Sequence, residues 1–264
     1  MEVTMTEMFA AVRVQKIKGI RNLQSIEAHG RREDDASKSR VDATMTSRNL
    51  AWSCADGNPL GVVAAFRKRK ADTGAGEYKN APVGLHVMCI VSHEWVSGAG
   101  DMHDPNNPRN KALFDEARSW GDKTFGKGAV VAARMDMDER GGGVVDLVVV
   151  PVATFKQRGK EKTQISVNKA YESAFGGGRV YGKMQDSWSA HAQRTLSTDL
   201  RRGKAKADTQ RQHVHADIIR PALQRAEAAE NAAKAWRKDA EKWRARSDVM
   251  QKQIGDQQAV IEKQ

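Results

Sequence analysis

The sequence predicts an α+β fold that passes into one long C-terminal helix, on three observations. Residues 9–18, FAAVRVQKIK, set Ala11, Arg13, Gln15 and Ile17 opposite Val12, Val14 and Lys16, the two-residue period of a strand. Further on, AVVAARMDMDE runs through the glycine turn ERGGG into VVDLVVVPV, a β-hairpin whose β-branched second arm belongs at the centre of a sheet. Past residue 203 glycine disappears until Gly255 and a seven-residue register sets in. Ile219, Ala226 and every seventh residue to Ile261 take one seam position, with Ala222, Ala229, Trp236, Trp243, Met250 and Gln257 on the other.

The elements between follow in order. From Asn22 to about Asn49 the chain is dense in charge and reads as a mobile surface segment. GLHVMCIVSHEW, residues 84–95, is an apolar run of strand length, and the next segment puts Leu113, Ala117 and Trp120 on one side of a helix. After the hairpin, FKQRGKEKTQ reads as a basic loop. A helix from about Lys183 to Leu200 then carries Met184, Trp188, Ala192 and Leu196 at near fourfold spacing. FGGGR, residues 175–179, lacks the lysine of a nucleotide-binding loop and reads as a turn.

Composition narrows the function. The 264 residues are 39% apolar, too polar for a multi-spanning membrane protein, and no stretch offers a membrane span or a signal-peptide core. Cys54 and Cys89 are too few for a disulfide framework and lack zinc-site spacing, so a reducing cytoplasm is the expected location. The net charge of +11 favours an anionic partner such as nucleic acid.

Two places could carry chemistry. Asp136, Asp138, Glu139 and Asp146 crowd the hairpin, and Asp146 interrupts the apolar arm of Val144, Val145, Leu147, Val148, Val149 and Val150. A lone carboxylate in a buried strand costs several kcal/mol unless protonated, paired or bound to a cation. With Asp136 or Asp138 across the hairpin, the cluster suits a hard cation such as Mg²⁺ or Mn²⁺; an arginine partner or a wet edge would serve equally. The second place is His29, followed by Arg31 and Arg32. The guanidinium groups could bind phosphate while the imidazole acts as base or nucleophile, its neutral form favoured by the arginines. A surface histidine without a task is the plain alternative. Tyr78, Tyr171 and Tyr181, the only tyrosines, have no supporting motif. His213 and His215, two apart at the start of a helix, face different ways and read as phosphate or interface contacts.

In their order along the chain these segments resemble the Mob/Pre family of plasmid mobilisation relaxases, also called plasmid recombination enzymes. FAAVRVQKIKGIRNL followed by His29 and Arg32 is similar to the family's first motif, a strand and then a His-x-x-Arg that contacts nick-site DNA. HVMCIVSHEWV and ALFDEARSWGDKTFG resemble the second motif strand and its helix. Asp136-Met137-Asp138-Glu139 and Val148-Val149-Val150-Pro151 resemble the two ends of the third motif, and DLRRGKAKADTQRQH the stretch before the C-terminal helix. The likeness runs from about residue 8 to 220, plus the tail. It departs at the third motif, whose three metal-binding histidines fall on Asp136, Val144 and Asp146.

The resemblance implies an antiparallel, ferredoxin-like sheet with helices on one side in a domain of residues 1–202, followed by a basic coiled-coil tail of 203–264. It implies binding of single-stranded or origin DNA and nicking of one strand through a covalent adduct. His29 and Arg32 would be catalytic, and Arg31, Arg48, Arg201, Arg202, Lys204 and His213 would contact DNA. Asp136, Glu139 and Asp146 would hold Mn²⁺ or Mg²⁺. An alternative is a catalytically inactive origin-binding regulator on the same fold. The tail would form a homodimer or dock coupling proteins of the conjugation machinery.

Overall fold

The computed structural model describes residues 7–157, 159–178, 180–203 and 216–261. The chain separates into two compact units, Met1–Gly203 and Lys204–Gln264.

The first unit opens with strand β1 (Met8–Ile17), helix α1 (Ile20–Gly30), the short helix α2 (Asp35–Lys38), a 3-10 turn (Ala43–Arg48) and strand β2 (Leu50–Ser53). Helix α3 (Val62–Thr73), strand β3 (Gly84–Val91), α4 (His93–Ser97) and α5 (Pro108–Phe125) follow. Then come β4 (Val130–Met135), β5 (Val144–Val149), β6 (Val152–Gln157), β7 (Lys160–Ile165), α6 (Val167–Phe175), α7 (Val180–Thr195) and β8 (Leu200–Arg202). Six strands form one sheet in the order β2-β4-β5-β3-β1-β8, antiparallel throughout except where β8 runs parallel to the start of β1. Both hairpin arms, β4 and β5, are interior.

Helices cover both faces of this sheet, not one. Along β5, Val145, Leu147 and Val149 join a core with Leu113, Ala117 and Trp120 of α5 and Met184, Trp188 and Ala192 of α7. Val148, on the other face, packs with Leu23 of α1 and Val62, Ala65 and Phe66 of α3. The continuous valine run of the second arm was the signal: a strand apolar at every position needs cover on both sides. The charged segment 22–49 is also more ordered than its composition suggests. Leu23 and Ile26, one turn apart, anchor α1, and the Asp34 carboxylate caps α2 by accepting from the Ser37 amide. The basic stretch 155–164 is no loop but most of a separate two-stranded ribbon, β6 and β7, whose Thr154 and Thr163 hydroxyls bond across it.

The hairpin connection spans residues 136–143, and only its last glycine has a fixed reason. Gly143 has φ 76°, and a Cβ there would stand 2.6 Å from the Val91 carbonyl oxygen. Segment 41–49 pins the rest: Asp42 donates its amide to the Asp138 carbonyl, and Asn49 Oδ1 accepts from the amides of Met137 and Asp138.

Among the described residues, the second unit holds the helix α8 (Ala216–Ile261), with Trp236, Trp243, Met250 and Ile254 of the seam exposed. A coiled coil would need a second helix on that seam. No described helix is long and apolar enough to cross a membrane.

Candidate active site

Helix α1 ends on a doubly bonded turn: the Glu33 amide donates to the Ala28 carbonyl and the Arg32 amide to that of His29. This closure calls for a left-handed residue, normally glycine, yet Arg32 occupies it with φ 59°. The strain is compensated by its side chain. Arg32, 7% exposed, grips the fully buried Asp138 with Nε to Oδ2 at 3.1 Å and Nη2 to Oδ1 at 2.5 Å. Its Nη1 donates to the His29 carbonyl, so the arginine fixes the backbone that carries the histidine. Burial alone would push the Asp138 carboxyl up, but hydrogen bonds from Arg32, Thr46 and Asn49 hold it below the ordinary value.

His29 projects from the last turn of α1, about one third exposed. Its Nδ1 lies 3.2 Å from Asp34 Oδ2 and its Nε2 3.7 Å from Glu139 Oε1. Asp34 is itself held down to about 2, chiefly by the Ser37 amide. The arginines were expected to favour a neutral ring; instead the His29 pKa is raised. Glu139 facing Nε2 is the largest cause, and it outweighs burial and the nearby charges of Arg134 and Arg32. Glu139 is correspondingly held down, first by His29.

The acid opposite Asp146 is neither Asp136 nor Asp138. Register places Arg134 there, because an eight-residue connection carries both aspartates beyond the end of β4. Arg134 Nη2 lies 3.3 Å from Asp146 Oδ2, and His86 Nε2, from β3, lies 2.9 Å from Asp146 Oδ1. Burial would raise the Asp146 carboxyl, but His86 and Arg134 bring it below its ordinary value. Two residues on from Arg134, Asp136 returns to the same side. Its Oδ1 stands 2.9 Å from Arg134 Nε and 3.0 Å from Arg32 Nη2.

Among the described residues, His29, Asp136 and Glu139 bring one ligand atom each within 4.8 Å of one another. One imidazole nitrogen with two carboxylates suits Mn²⁺ or Mg²⁺. Asp136 Oδ1 is buried and accepts no aligned hydrogen bond despite its two close guanidinium neighbours, and burial pushes its carboxyl up. A buried acceptor left in that state fits a cation's demand. Asp146, expected as a third carboxylate ligand, stands outside this group with both oxygens engaged.

The remaining expected residues are dispersed. Arg31 bonds Glu27 and Asn58 beside the site. Arg48 is exposed at the end of the 3-10 turn, and Arg201 and Arg202 are exposed on edge strand β8, where Arg202 pairs with Asp186. Lys204 and His213 lie outside the described residues. Sequence reasoning missed Arg134, His86 and Asp34. The signals were the two-residue spacing of Arg134 and Asp136, the cross-strand position of Arg134, and the Asp-x-x-Ser cap at residue 34.

The architecture resembles that of solved relaxase domains. The particular likeness is to the MobM relaxase domain (MOBV; Mob_Pre), solved with plasmid pMV158 oriT DNA. Its Mn-bound form at pH 6.8, with a 22-nucleotide DNA bearing a 3′-thiophosphate, superposes with a TM-score of 0.59 at 16% identity, over 81% of this chain and 99% of that one. A Mn-bound complex at pH 6.5 with 23 nucleotides gives 0.58 at 15%, over 82% and 98%. The resemblance read from the motifs thus extends to the fold, at an identity where fold is what is shared. No protein-family model matches the sequence, and no curated protein matches it.

Proposed function

We propose that this chain is a DNA relaxase of plasmid mobilisation type, which binds single-stranded origin DNA and nicks one strand through a covalent adduct on His29. One observation carries the reading: on a relaxase fold, a partly exposed imidazole sits between Asp34 and Glu139 beside the buried Arg32. The DNA-bound and manganese-bound states of the MobM domain support DNA as the partner and a divalent cation as cofactor.

Asp34 orients the ring by accepting the Nδ1 proton, which leaves Nε2 to attack phosphorus once its own proton has gone. The Nε2–phosphorus bond forms as one phosphorus–oxygen ester bond breaks, and the departing sugar oxygen takes up a proton. The adduct conserves the bond for rejoining. Glu139 receives the proton at Nε2. Arg32 holds the histidine backbone, and Arg31 at the rim approaches the DNA phosphates, with Arg48, Arg201, Arg202, Lys204 and His213 as further contacts. Asp136 and Glu139 would hold the cation beside the His29 ring, with Asp146 alongside; when bound, it would supply Lewis-acid polarisation of the scissile phosphate. The exposed seam of α8 supports a role for the tail in self-association or in docking coupling proteins.

A nicking assay on supercoiled DNA carrying the replicon's own transfer origin, with Mn²⁺ or Mg²⁺, tests this. Wild type should give nicked product and a protein–DNA adduct that survives denaturing electrophoresis. His29→Ala should abolish both and still bind the single strand. The regulator reading is favoured by the basic side chain already facing every carboxylate of the site; binding by wild type without cleavage in either cation would establish it.

A further inference from the structure

We propose that Arg134 is a resident counter-charge that competes with the divalent cation for the site's carboxylates, and so keeps cation binding weak and exchangeable. This rests on the cation reading given above. A single guanidinium spans two of the three acids that the sequence assigned to a metal, with Nε 2.9 Å from Asp136 Oδ1 and Nη2 3.3 Å from Asp146 Oδ2.

Its placement is built into the fold. Arg134 lies directly opposite Asp146 on two interior strands, and its side chain is only 11% exposed. Helix α1 passes over it at Gly30, where a Cβ would stand 2.7 Å from Arg134 Nη1. The contacts are also unequal. Asp146 accepts a hydrogen bond from Arg134 and meets His86 on its other oxygen, whereas Arg134 Nε and Asp136 Oδ1 are close but misaligned and leave each other unsatisfied. Asp146 is therefore committed, while Asp136 remains open to a better partner.

A guanidinium stays charged at any working pH, so the competition cannot be titrated away. A unit positive charge roughly 5 Å from a divalent ion weakens its binding on the order of tenfold even at the dielectric constant of water. Where a metal centre built only of uncharged and anionic ligands binds its ion unopposed, this one carries a standing rival two residues before Asp136.

The test is titration of the full chain with Mn²⁺ in the absence of DNA, read by electron paramagnetic resonance of the free ion. Arg134→Gln should tighten binding on the order of tenfold. Asp146→Asn alone should weaken binding less than Asp136→Asn does, since that carboxylate is engaged elsewhere and contributes its charge but no ligand atom; added to Arg134→Gln it should take back part of the gain, because Asp146 is then free to ligate. Should Arg134→Gln not fold by circular dichroism, Arg134→Lys decides: lysine keeps the charge but cannot span both acids, and a smaller tightening is expected. Unchanged or weaker Mn²⁺ binding in a folded Arg134 variant overturns the proposal and leaves the cation reading standing. So does an Asp146→Asn loss as large as that of Asp136→Asn. No Mn²⁺ binding by wild type or any Arg134 variant overturns the cation reading and this proposal together.

Discussion

Replacing Arg32 by glycine removes a buried ion-pair partner and relieves a strained backbone at the same position, and the two effects have opposite signs. Asp138 is fully buried, and its bonds to Arg32 run at 2.5 and 3.1 Å. Stranding such a charge costs about 3–5 kcal/mol. The left-handed φ of 59° costs a non-glycine residue about 1 kcal/mol, which glycine recovers. Arg32→Gly should thus destabilise by about 2–4 kcal/mol, and Arg32→Ala, which keeps the strain, by about 1 kcal/mol more. For a unit of this size each kcal/mol moves Tm by about 2–4 °C. The glycine variant should therefore melt about 5–15 °C below wild type and the alanine variant a few degrees lower still. Thermal unfolding followed by near-ultraviolet circular dichroism at pH 7 measures both. Because the folded Asp138 pKa is depressed, its contribution is present above the 3.8 of a free aspartate and is lost as pH falls through the lower folded value. The gap between wild type and variants should hold at neutral pH and shrink in acid. Two variants that melt with wild type would refute the buried-pair argument, and an alanine variant more stable than the glycine one would refute the strain argument.

Other perturbations have equally definite outcomes. Gly143→Ala, forced against the Val91 carbonyl at positive φ, should cost more than about 1 kcal/mol in urea unfolding. Trp188→Ala, which empties a fully buried site packed against Trp120 at 5.5 Å and removes a donor from the Ile90 carbonyl, should cost about 3–5 kcal/mol by the same assay. In metal-free buffer, proton NMR should show His29 titrating above 6.5, and Glu139→Gln should bring it down. Since that pKa is raised on folding, the His29–Glu139 pair stabilises below 6.5 and its contribution fades as pH rises through the folded value. If single-stranded DNA runs along β8, Arg201→Ala with Arg202→Ala should reduce the slope of log affinity against log salt by about 1.4, near 0.7 per lost phosphate contact; an unchanged slope would remove both residues from the interface.

How far the sequence could be read depended on whether a residue's partners were local. The alternation of β1, the valine run of β5 and the spacing of Leu113, Ala117 and Trp120 are written in neighbouring residues, and each element formed where its pattern lay. Segment 22–49 misled because its order comes from one buried leucine, an aspartate cap and contacts to a loop about a hundred residues away, none of which shifts local composition. At the site, the anomaly of Asp146 was visible and one admissible answer, an arginine partner, was the one the structure supplies. What composition could not supply was the register. The eight-residue connection moved the aspartates off the strand and put Arg134 across from Asp146, and it left His86, from a third strand, to complete the arrangement.

The pairing of β8 with the opening residues of β1 has a consequence for synthesis. The outer neighbour of Met8–Ala10 is Leu200–Arg202, at the far end of the unit, so strand β1 waits for the synthesis of β8 before that edge is closed. His29 likewise emerges long before Glu139, its partner across the site. A nascent chain therefore carries His29 before the carboxylate that faces its Nε2 has been made, and the pair forms only once the hairpin connection is out.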